Sequence, residues 1–284
     1  MKTSEKVQER NSEREDRRRS RILERQLRDI EKQEQKILNQ KENAFVKSKI
    51  SPVMDKLQNM VPPKLKSALN TAFFKGFHLV FEKGNDYIEK TYDKDRIRAE
   101  FDMSNYAVDR AMKRKHIRKL DRQSGQTKTL NASISALEGG VLGLLGIGLP
   151  DIPLFIAVIL RTVNEIALSY GYQYETDQEK AYMLYLIGGA MSKDDTQKEF
   201  DRKVEMTGEM IDKGGRIPID LEEIIRETSD ALSDALLTAK FVQGLPLIGV
   251  VGGVINPAVI NKIGRYAGIK YKKRYLLGKT VDQK

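Results

Sequence analysis

Two long glycine-rich apolar segments are the features that most constrain how this chain can fold. Residues 139–160 contain a single charged side chain, Asp151, and residues 241–260 contain none. The first segment exceeds the roughly 18 residues at which a membrane-spanning helix must be considered. However, Pro150 and Pro153 interrupt helical hydrogen bonding, and Asp151 would cost about 2.5–3.5 kcal/mol at the centre of a bilayer. The segment therefore predicts two helices joined by a break around the two prolines.

Each segment also contains glycines four residues apart, which allow another helix to approach closely. We expect the two helical hairpins to contact a membrane or a partner through these residues and the neighbouring prolines: Gly139, Gly140, Gly143, Pro150, Pro153, Gly244, Pro246, Gly249 and Gly253. Three arrangements fit the pattern: the dry centre of a soluble bundle, an element that enters one membrane leaflet, and a pair of true spans. The charge and the prolines count against true spans, and the sequence does not separate the other two.

Most of the remaining chain has the apolar spacing of helices, with steps of three and four residues. A representative run is Leu65, Leu69, Ala72, Phe73, Phe77, Val80, Phe81 and Ile88. Strand signals of any length are hard to find. Asp220, with Glu223 three residues later, has the pattern of a helix N-cap. The sequence thus predicts an all-α fold, with one compact multi-helix domain at residues 50–284 that contains both glycine-rich hairpins.

A charged arm precedes this domain at residues 1–49. Leu23, Ile30 and Ile37 repeat every seven residues as in a coiled coil, but Glu34 occupies another seam position, which a stable coiled coil would resist. We therefore expect a weak coiled coil, a partner-binding helix or a partly disordered segment. Charges of both signs alternate along the arm, which argues against a dedicated nucleic-acid arm.

The residue inventory excludes several kinds of chemistry. The chain has no cysteine, so disulfides, thiolate catalysis, zinc–thiolate sites and iron–sulfur clusters are ruled out. His78 and His116 are its two histidines, which excludes a His-rich metal site within one chain. No nucleophile elbow or complete phosphate-binding loop is present. We therefore predict no catalytic residue, no metal and no cofactor, and an enzyme is the less favoured class.

The net charge of +10 includes two dense basic clusters. Their members are Arg110, Lys113, Arg114 and Lys115 in the first, and Lys272, Lys273 and Arg274 in the second. Such clusters attract anionic lipid headgroups or phosphates, although cations near a helix C-terminus also complement its dipole. Because few aromatic side chains lie among these charges, we do not expect a nucleic-acid partner.

A candidate functional polar cluster accompanies the first glycine-rich segment. Arg161 and Glu165 are one helical turn apart and are expected to pair. Because their surroundings are apolar, Arg161 needs an acidic partner, and Glu138 and Asp151 are further candidates for that role. The four residues form either a structural ion network or a site that binds a ligand or handles protons.

Several ordered motifs extend through the chain. They are SALEGG at 135–140, DIP at 151–153, LRTVNEIA at 160–167, YGY at 170–172, Asn256-Pro257 and KKRYL at 272–276. In these motifs the chain resembles the EcsC protein family, over roughly residues 50–278. The resemblance implies a bacterial protein whose family is named for a gene beside the ATPase and membrane subunit of an ABC transporter. It carries no catalytic residues over to this chain.

These features together predict a non-enzymatic, membrane-proximal accessory protein of the EcsC type. We expect it to be cytoplasmic, and peripheral on the inner face of the cell membrane when bound. Its hairpins and basic clusters would contact an anionic membrane surface or an ABC-transporter subunit. The alternative is an enzyme or a small-ligand-binding protein that uses the polar cluster, and a third function is nucleic-acid binding through the basic clusters.

Overall fold

Helices account for almost all of the chain that the structure describes. The computed structural model describes residues 2–38, 63–125, 151–216, 218–242 and 257–281. Its helices are α1 (Lys2–Leu38), α2 (Pro63–Leu79), α3 (Asn85–Glu89), α4 (Lys94–Arg110), α5 (Arg114–Gly125), α6 (Asp151–Ser169), α7 (Asp177–Met191), α8 (Asp194–Asp212), α9 (Leu221–Val242) and α10 (Pro257–Val281). A π-helical turn, Val80–Gly84, joins α2 to α3. No strand occurs in the described ranges, and the predicted all-α fold is confirmed.

Two buried helices, α6 and α7, form the centre of the fold. Helix α6 packs against α2, α4, α5 and α10, whereas α7 packs against α8, α9 and α10. From Ile152 to Ser169, every α6 side chain except Glu165 is buried. Burial on nearly all sides explains why this helix is apolar over most of its circumference, apart from the stripe that carries Arg161, Asn164 and Glu165.

Helix α6 is also long and apolar enough to cross a membrane, judged by length and composition alone. The relevant window is Ile152–Ser169, and 94% of it is buried inside the protein. The core helix of a helical bundle has the same character, because it too contacts apolar neighbours on all sides. For this second half of the first glycine-rich segment, the structure therefore matches the arrangement in which the segment forms part of a dry bundle centre.

The predicted charged arm forms helix α1, which packs along α10. Leu23 and Ile30 are buried in the core of the same chain, so their seven-residue spacing reflects packing within this chain. Glu34, which we expected to disfavour a coiled-coil seam, is buried against Lys270 and Lys273. The predicted boundary at residue 49 lies outside the described residues and stays a prediction.

Local sequence signals fix several helix ends. Asp220 Oδ1 accepts a hydrogen bond from the backbone N–H of Glu223 at 3.0 Å, so the predicted N-cap of α9 is confirmed. Thr176 caps α7 in the same way, with its hydroxyl 3.2 Å from the Glu179 nitrogen. Each cap satisfies a backbone donor that the first turn of a helix leaves without an intrahelical partner.

The turn after α6 requires a glycine. Gly171 has a φ of +84°, a left-handed conformation in which a side chain is strained. A Cβ atom at this position would also lie 2.3 Å from the ring of Phe101. The turn carries the chain to Tyr172 and Tyr174, both of which contribute to polar groups described below.

Helices α2 and α9 are antiparallel neighbours. Lys66 Nζ lies 2.7 Å from Asp234 Oδ1, and one turn further along α2, Asn70 donates a hydrogen bond to Asp230. Since residue numbers rise along one helix as they fall along the other, the C-terminal end of α9 lies beside the N-terminal end of α2.

Helices α2 and α6 run in the same direction. The rings of Phe73 and Phe155 are 6.3 Å apart near the start of α6. Later in the chain from α2, the ring of Tyr92, which follows α3, lies 5.7 Å from the guanidinium carbon of Arg161, which is also later in α6 than Phe155. The N-terminal ends of α2 and α6 therefore lie on the same side of the bundle.

Helix α10 runs parallel to α6. A Cβ atom on Gly264 would lie 3.2 Å from the Thr162 methyl group, and the rings of Tyr275 and Tyr170 are 6.2 Å apart. The N-terminal end of α10 thus shares a side with that of α6 and with the C-terminal end of α9.

This arrangement brings the attachment points of both glycine-rich segments together. Residues 139–150 lead into α6, and residues 243–256 connect α9 to α10. We call these two stretches, with the helix ends that carry them, the glycine-rich end. The stretches lie outside the described residues, so the hairpin contacts predicted for them stay predictions. Pro153 is described, and it lies in the first turn of α6, where a proline is tolerated.

Candidate functional site

The predicted pair of Arg161 and Glu165 lies on α6 in the middle of the core. Arg161 Nε donates to Glu165 Oε1 at 2.7 Å, as their spacing predicts. The two side chains are 8% and 14% exposed. Removing both charges from water costs several kcal/mol per ion unless their other donors and acceptors are satisfied. The remaining polar neighbours therefore determine what this pair can do.

A chain of polar contacts continues from this pair toward the surface. The ring of Tyr92 lies against the Arg161 guanidinium, and the hydroxyls of Tyr92 and Tyr174 are 2.7 Å apart. Tyr174 donates to Glu89 Oε1 at 2.9 Å. Glu89 in turn pairs with Lys94 at 3.4 Å. The interior guanidinium is thus connected through two tyrosines to a partly exposed ion pair.

Burial lowers the acidity of both tyrosines in this chain. Burial raises the pKa of Tyr92 to about 12. Burial, together with the hydrogen bond to Tyr92, raises the pKa of Tyr174 well above its usual value. Both hydroxyls therefore stay protonated near neutral pH, and neither can act as a general base there. What the chain can do is orient hydrogen bonds around Arg161.

Two polar atoms of this group are buried without a hydrogen-bond partner among the described residues: Arg161 Nη1 and Asn164 Oδ1. A buried donor or acceptor without a partner costs about 1–3 kcal/mol. A ligand carboxylate or phosphate oxygen would satisfy the guanidinium, and so would an acidic side chain. Glu138, one of the acids predicted for that role, lies outside the described residues.

Helix geometry excludes the predicted direct ion pair between Asp151 and Arg161. Both residues lie on α6, Asp151 at its first position. At 1.5 Å per residue their Cα atoms are about 15 Å apart along the axis, which is beyond the reach of a direct ion pair. Of the predicted polar cluster, the structure therefore brings together Arg161 and Glu165. Tyr92, Tyr174 and Asn164 lie beside this pair, and the sequence analysis had not included these three residues in the cluster.

The predicted basic surface cluster at residues 272–274 needs correction. Lys272 Nζ lies 2.8 Å from Asp121, Lys273 Nζ lies 2.9 Å from Glu34, and Arg274 is 5% exposed. These three cations point toward neighbouring helices and are paired inside the protein. The physical reason is that α10 is surrounded by other helices, so consecutive cations on it must meet carboxylates rather than water.

Arg274 is held by two carboxylates and two aromatic rings. Its guanidinium makes paired hydrogen bonds to Glu179, at 2.9 and 3.1 Å, and to Asp212, at 2.6 and 3.0 Å. The rings of Tyr172 and Tyr182 lie 4.2 and 4.4 Å from its central carbon. Burial alone would lower the pKa of Arg274, but the hydrogen bonds to the carboxylates outweigh it and raise that pKa. This arrangement uses the planar, forked geometry that lysine lacks.

Lys270 is a second buried cation, and its side chain is 1% exposed. Its Nζ lies 2.7 Å from Glu34, 2.7 Å from Asp201 and 2.6 Å from Glu205. Burial alone would lower the pKa of Lys270, but the three carboxylates outweigh it and raise the pKa to about 12. The amine is therefore charged at physiological pH and is unsuited to act as a nucleophile.

The other predicted basic cluster lies at the junction of α4 and α5. Arg110, Lys113 and Lys115 are exposed, and Arg114 is half-buried at the first position of α5. Their predicted role in partner binding stays a prediction. Among the described ranges, no group of three or more His, Asp or Glu side chains is arranged to hold a metal ion.

Comparison with protein families shows which family the chain belongs to. The model of the EcsC protein family matches residues 24–276 of the sequence. The chain belongs to the EcsC protein family. The EcsC match begins before residue 50, where the sequence motifs had suggested its start, and so includes the part of α1 that carries Ile30 and Glu34. No curated protein and no solved structure matches the chain.

The sequence analysis did not identify Tyr92 and Tyr174 as neighbours of the Arg161–Glu165 pair in this EcsC protein. They are 82 positions apart, and their contact depends on the turn after α3 meeting the turn after α6. The nearest sequence signal is the pair of tyrosines in the YGY motif, which shows that aromatic side chains gather after α6. That signal does not indicate which distant residue they contact.

Proposed function

We propose that this EcsC protein is a membrane-proximal accessory protein whose glycine-rich end contacts the cytoplasmic leaflet. The proposal rests on one observation: two uncharged connections between helices attach at the same end of the bundle. Residues 139–150 and 243–256 contain no charged side chain, and both attach at one end of the bundle. Two uncharged, glycine-rich and proline-containing stretches that attach at the same end favour contact with an apolar phase over contact with water.

The positions of the basic residues change how this contact would work. Lys272, Lys273 and Arg274 are paired within the protein. The exposed cluster around Lys113 follows Asp109, whose carboxylate contacts Lys279 near the C-terminal end of α10, so the cluster lies away from the N-terminal end of α10 that carries a glycine-rich stretch. Apolar insertion, rather than attraction between charges, would therefore provide most of the binding free energy. A transporter subunit with an apolar groove inside the membrane could bind the glycine-rich end through the same kind of apolar contact.

Flotation with lipid vesicles tests the contact. We expect the protein to float with both neutral and anionic vesicles, and to stay bound at high salt, since salt screens charges and leaves apolar insertion intact. A charge introduced by Val250→Asp should weaken binding by about 100-fold, because an Asp in hydrocarbon costs about 2.5–3.5 kcal/mol.

The matched control is Met206→Asp. Met206 is 61% exposed on α8, so the same charge is added to a surface that the proposal does not use. We expect the control to float like the unchanged protein. Absence of flotation under all conditions, or binding that disappears at high salt, would refute apolar insertion of the glycine-rich end.

A second candidate function is binding of a small anion at Arg161. The observation that favours it is the buried Nη1 atom, which has no hydrogen-bond partner within the described part of the chain. In this case phosphate or acetate should stabilise the folded protein, by about 1.4 kcal/mol at a ligand concentration of ten times Kd. Thermal unfolding with each anion measures this effect, with chloride at equal ionic strength as the reference.

The comparison variant carries both Arg161→Met and Glu165→Gln, so that neither charge of the pair is left buried alone. A ligand site predicts that the anions stabilise the unchanged protein and have no effect on this variant. Equal stabilisation of the two proteins would show that the anions act elsewhere and that the pair serves structure.

A further inference from the structure

A groove on the surface of α1 is lined almost entirely by arginines. It has a volume of about 480 Å³. The lining residues other than Ile22 are Arg14, Arg17, Arg18, Arg21, Arg25 and Arg114. We call it the arginine groove. Five of its arginines come from the predicted charged arm, and the sixth comes from the exposed basic cluster at the start of α5.

Helix geometry explains why these arginines gather. At 100° per residue, Arg14, Arg18, Arg21 and Arg25 lie on one face of α1. Leu23 lies about half a turn around the helix from this face and is buried in the core. Because packing holds the Leu23 side inward, the arginine face is held at the surface.

The acidic side chains of the described residues compensate the positive charge of the groove poorly. Arg17 forms an exposed ion pair with Glu13 at 3.3 Å. The other five arginines form no ion pair within the described residues. Cations this close repel one another, and a bound anion would relieve that repulsion.

The chemistry of the groove selects among anions. Arginine presents a planar fork of N–H donors that binds phosphate oxygens in pairs. Among the described residues no aromatic side chain lines the groove, so these residues offer a nucleobase no ring to stack on. The volume lies in the range typical of small-molecule sites, about 300–1,000 Å³. We propose that the arginine groove binds a small soluble anion that carries several phosphate groups.

The groove is distant from the glycine-rich end, so the proposal does not depend on membrane contact. Arg19, next to the groove on α1, donates to the Asp109 carbonyl oxygen at 3.5 Å. Lys279, near the C-terminal end of α10, lies 2.7 Å from the Asp109 carboxylate. Val259, at the opposite end of α10, is about 30 Å away along the helix axis. A ligand in the groove would therefore bind at the end of the bundle away from both glycine-rich stretches.

Calorimetric titration of the full chain with inorganic tripolyphosphate tests the proposal. We expect binding at physiological salt that weakens as salt rises, since salt screens the attraction between the arginines and the phosphates. The double variant Arg21→Gln/Arg25→Gln should bind at least about tenfold more weakly, because two charge-assisted contacts are removed. Glutamine is nearly as good a helix former as arginine, and circular dichroism verifies that α1 is retained.

A second pair, Arg14→Gln/Arg18→Gln, should weaken binding to a similar extent. The matched control, Arg28→Gln/Lys32→Gln, removes two exposed cations of the same helix that do not line the groove. We expect the control to bind within about twofold of the unchanged protein. Absence of tripolyphosphate binding, or an equal loss in the control, would overturn the proposal. So would tighter binding of single-stranded RNA or of anionic vesicles through the same arginines.

Discussion

Replacement of Arg274 with methionine is expected to lower the free energy of unfolding by about 3–5 kcal/mol. The guanidinium is the partner of both Glu179 and Asp212, and the Glu179 carboxylate is 8% exposed. Without Arg274, at least one buried negative charge would have no cation to balance it. The loss of contact with Tyr172 and Tyr182 would add to the effect. Urea unfolding followed by circular dichroism measures the change.

Three comparison variants separate charge from geometry at this position. Arg274→Lys keeps the charge but loses the fork and the stacking, so we expect it to remain clearly destabilised. A triple variant with Arg274→Met, Glu179→Gln and Asp212→Asn removes all three charges and should regain part of the loss. Lys213→Met breaks an exposed pair with Glu209 and should cost well under 1 kcal/mol. A small effect of Arg274→Met, similar to that of Lys213→Met, would contradict the assigned role.

Replacement of Lys270 with methionine is expected to destabilise the protein by about 3–5 kcal/mol near neutral pH, and by less in acid. Lys270 faces the carboxylates of Glu34, Asp201 and Glu205. Lys273 remains in the variant and contacts two of them, so one cation would face three acids. The measurement is the free energy of unfolding of both proteins near pH 7 and near pH 4.

The sign of the pH dependence follows from Glu205. Burial alone would raise the pKa of Glu205, but Lys270 and Lys273 outweigh it and hold that pKa below its usual value. In the unchanged protein this stabilisation is present at neutral pH and is lost as the pH falls through the lowered pKa. Without Lys270 the folded-state pKa of Glu205 rises, so the variant loses less on acidification. The gap between the proteins narrows on acidification, by up to about 1.4 kcal/mol for each unit of that rise once the pH lies below both folded-state pKa values.

A control and a contrary outcome complete this test. Lys198→Met removes an exposed lysine that pairs with Asp195 on the same helix, and we expect it to leave the pH profile nearly unchanged, because solvent screens the pair. A gap between the Lys270 variant and the unchanged protein that stays constant, or widens, on acidification would show that lost packing dominates over uncompensated charge.

The features that the sequence predicted well are local. The all-α class follows from the spacing of apolar residues, the Asp220 cap from a three-residue pattern, and the Arg161–Glu165 pair from one helical turn. Each of these predictions depends on residues within a few positions of one another, where backbone geometry alone decides which side chains meet.

The features that the sequence did not reveal are pairings between distant residues. Lys270 and Glu34 are 236 positions apart, and nothing near either residue indicates the other. The run at 272–274 reads as a uniform cationic patch, because a count of charges does not tell which side chain faces the core. Arg18 and Arg21 were missed for a related reason. Their arm was judged by its mixture of charge signs, whereas the helical face separates the signs.

The central position of α10 has a consequence for synthesis on the ribosome. Residues 270–275 of this helix contact α1, α4, α5, α7 and α8, all of which are made earlier. Glu34 precedes its partner Lys270 by 236 residues, and translation at about 5–20 residues per second makes that interval roughly 12–47 s. Throughout it, the carboxylates destined for burial lack the α10 cations that balance them. Until α10 is made, water is therefore a better environment for these carboxylates than the interior they later occupy.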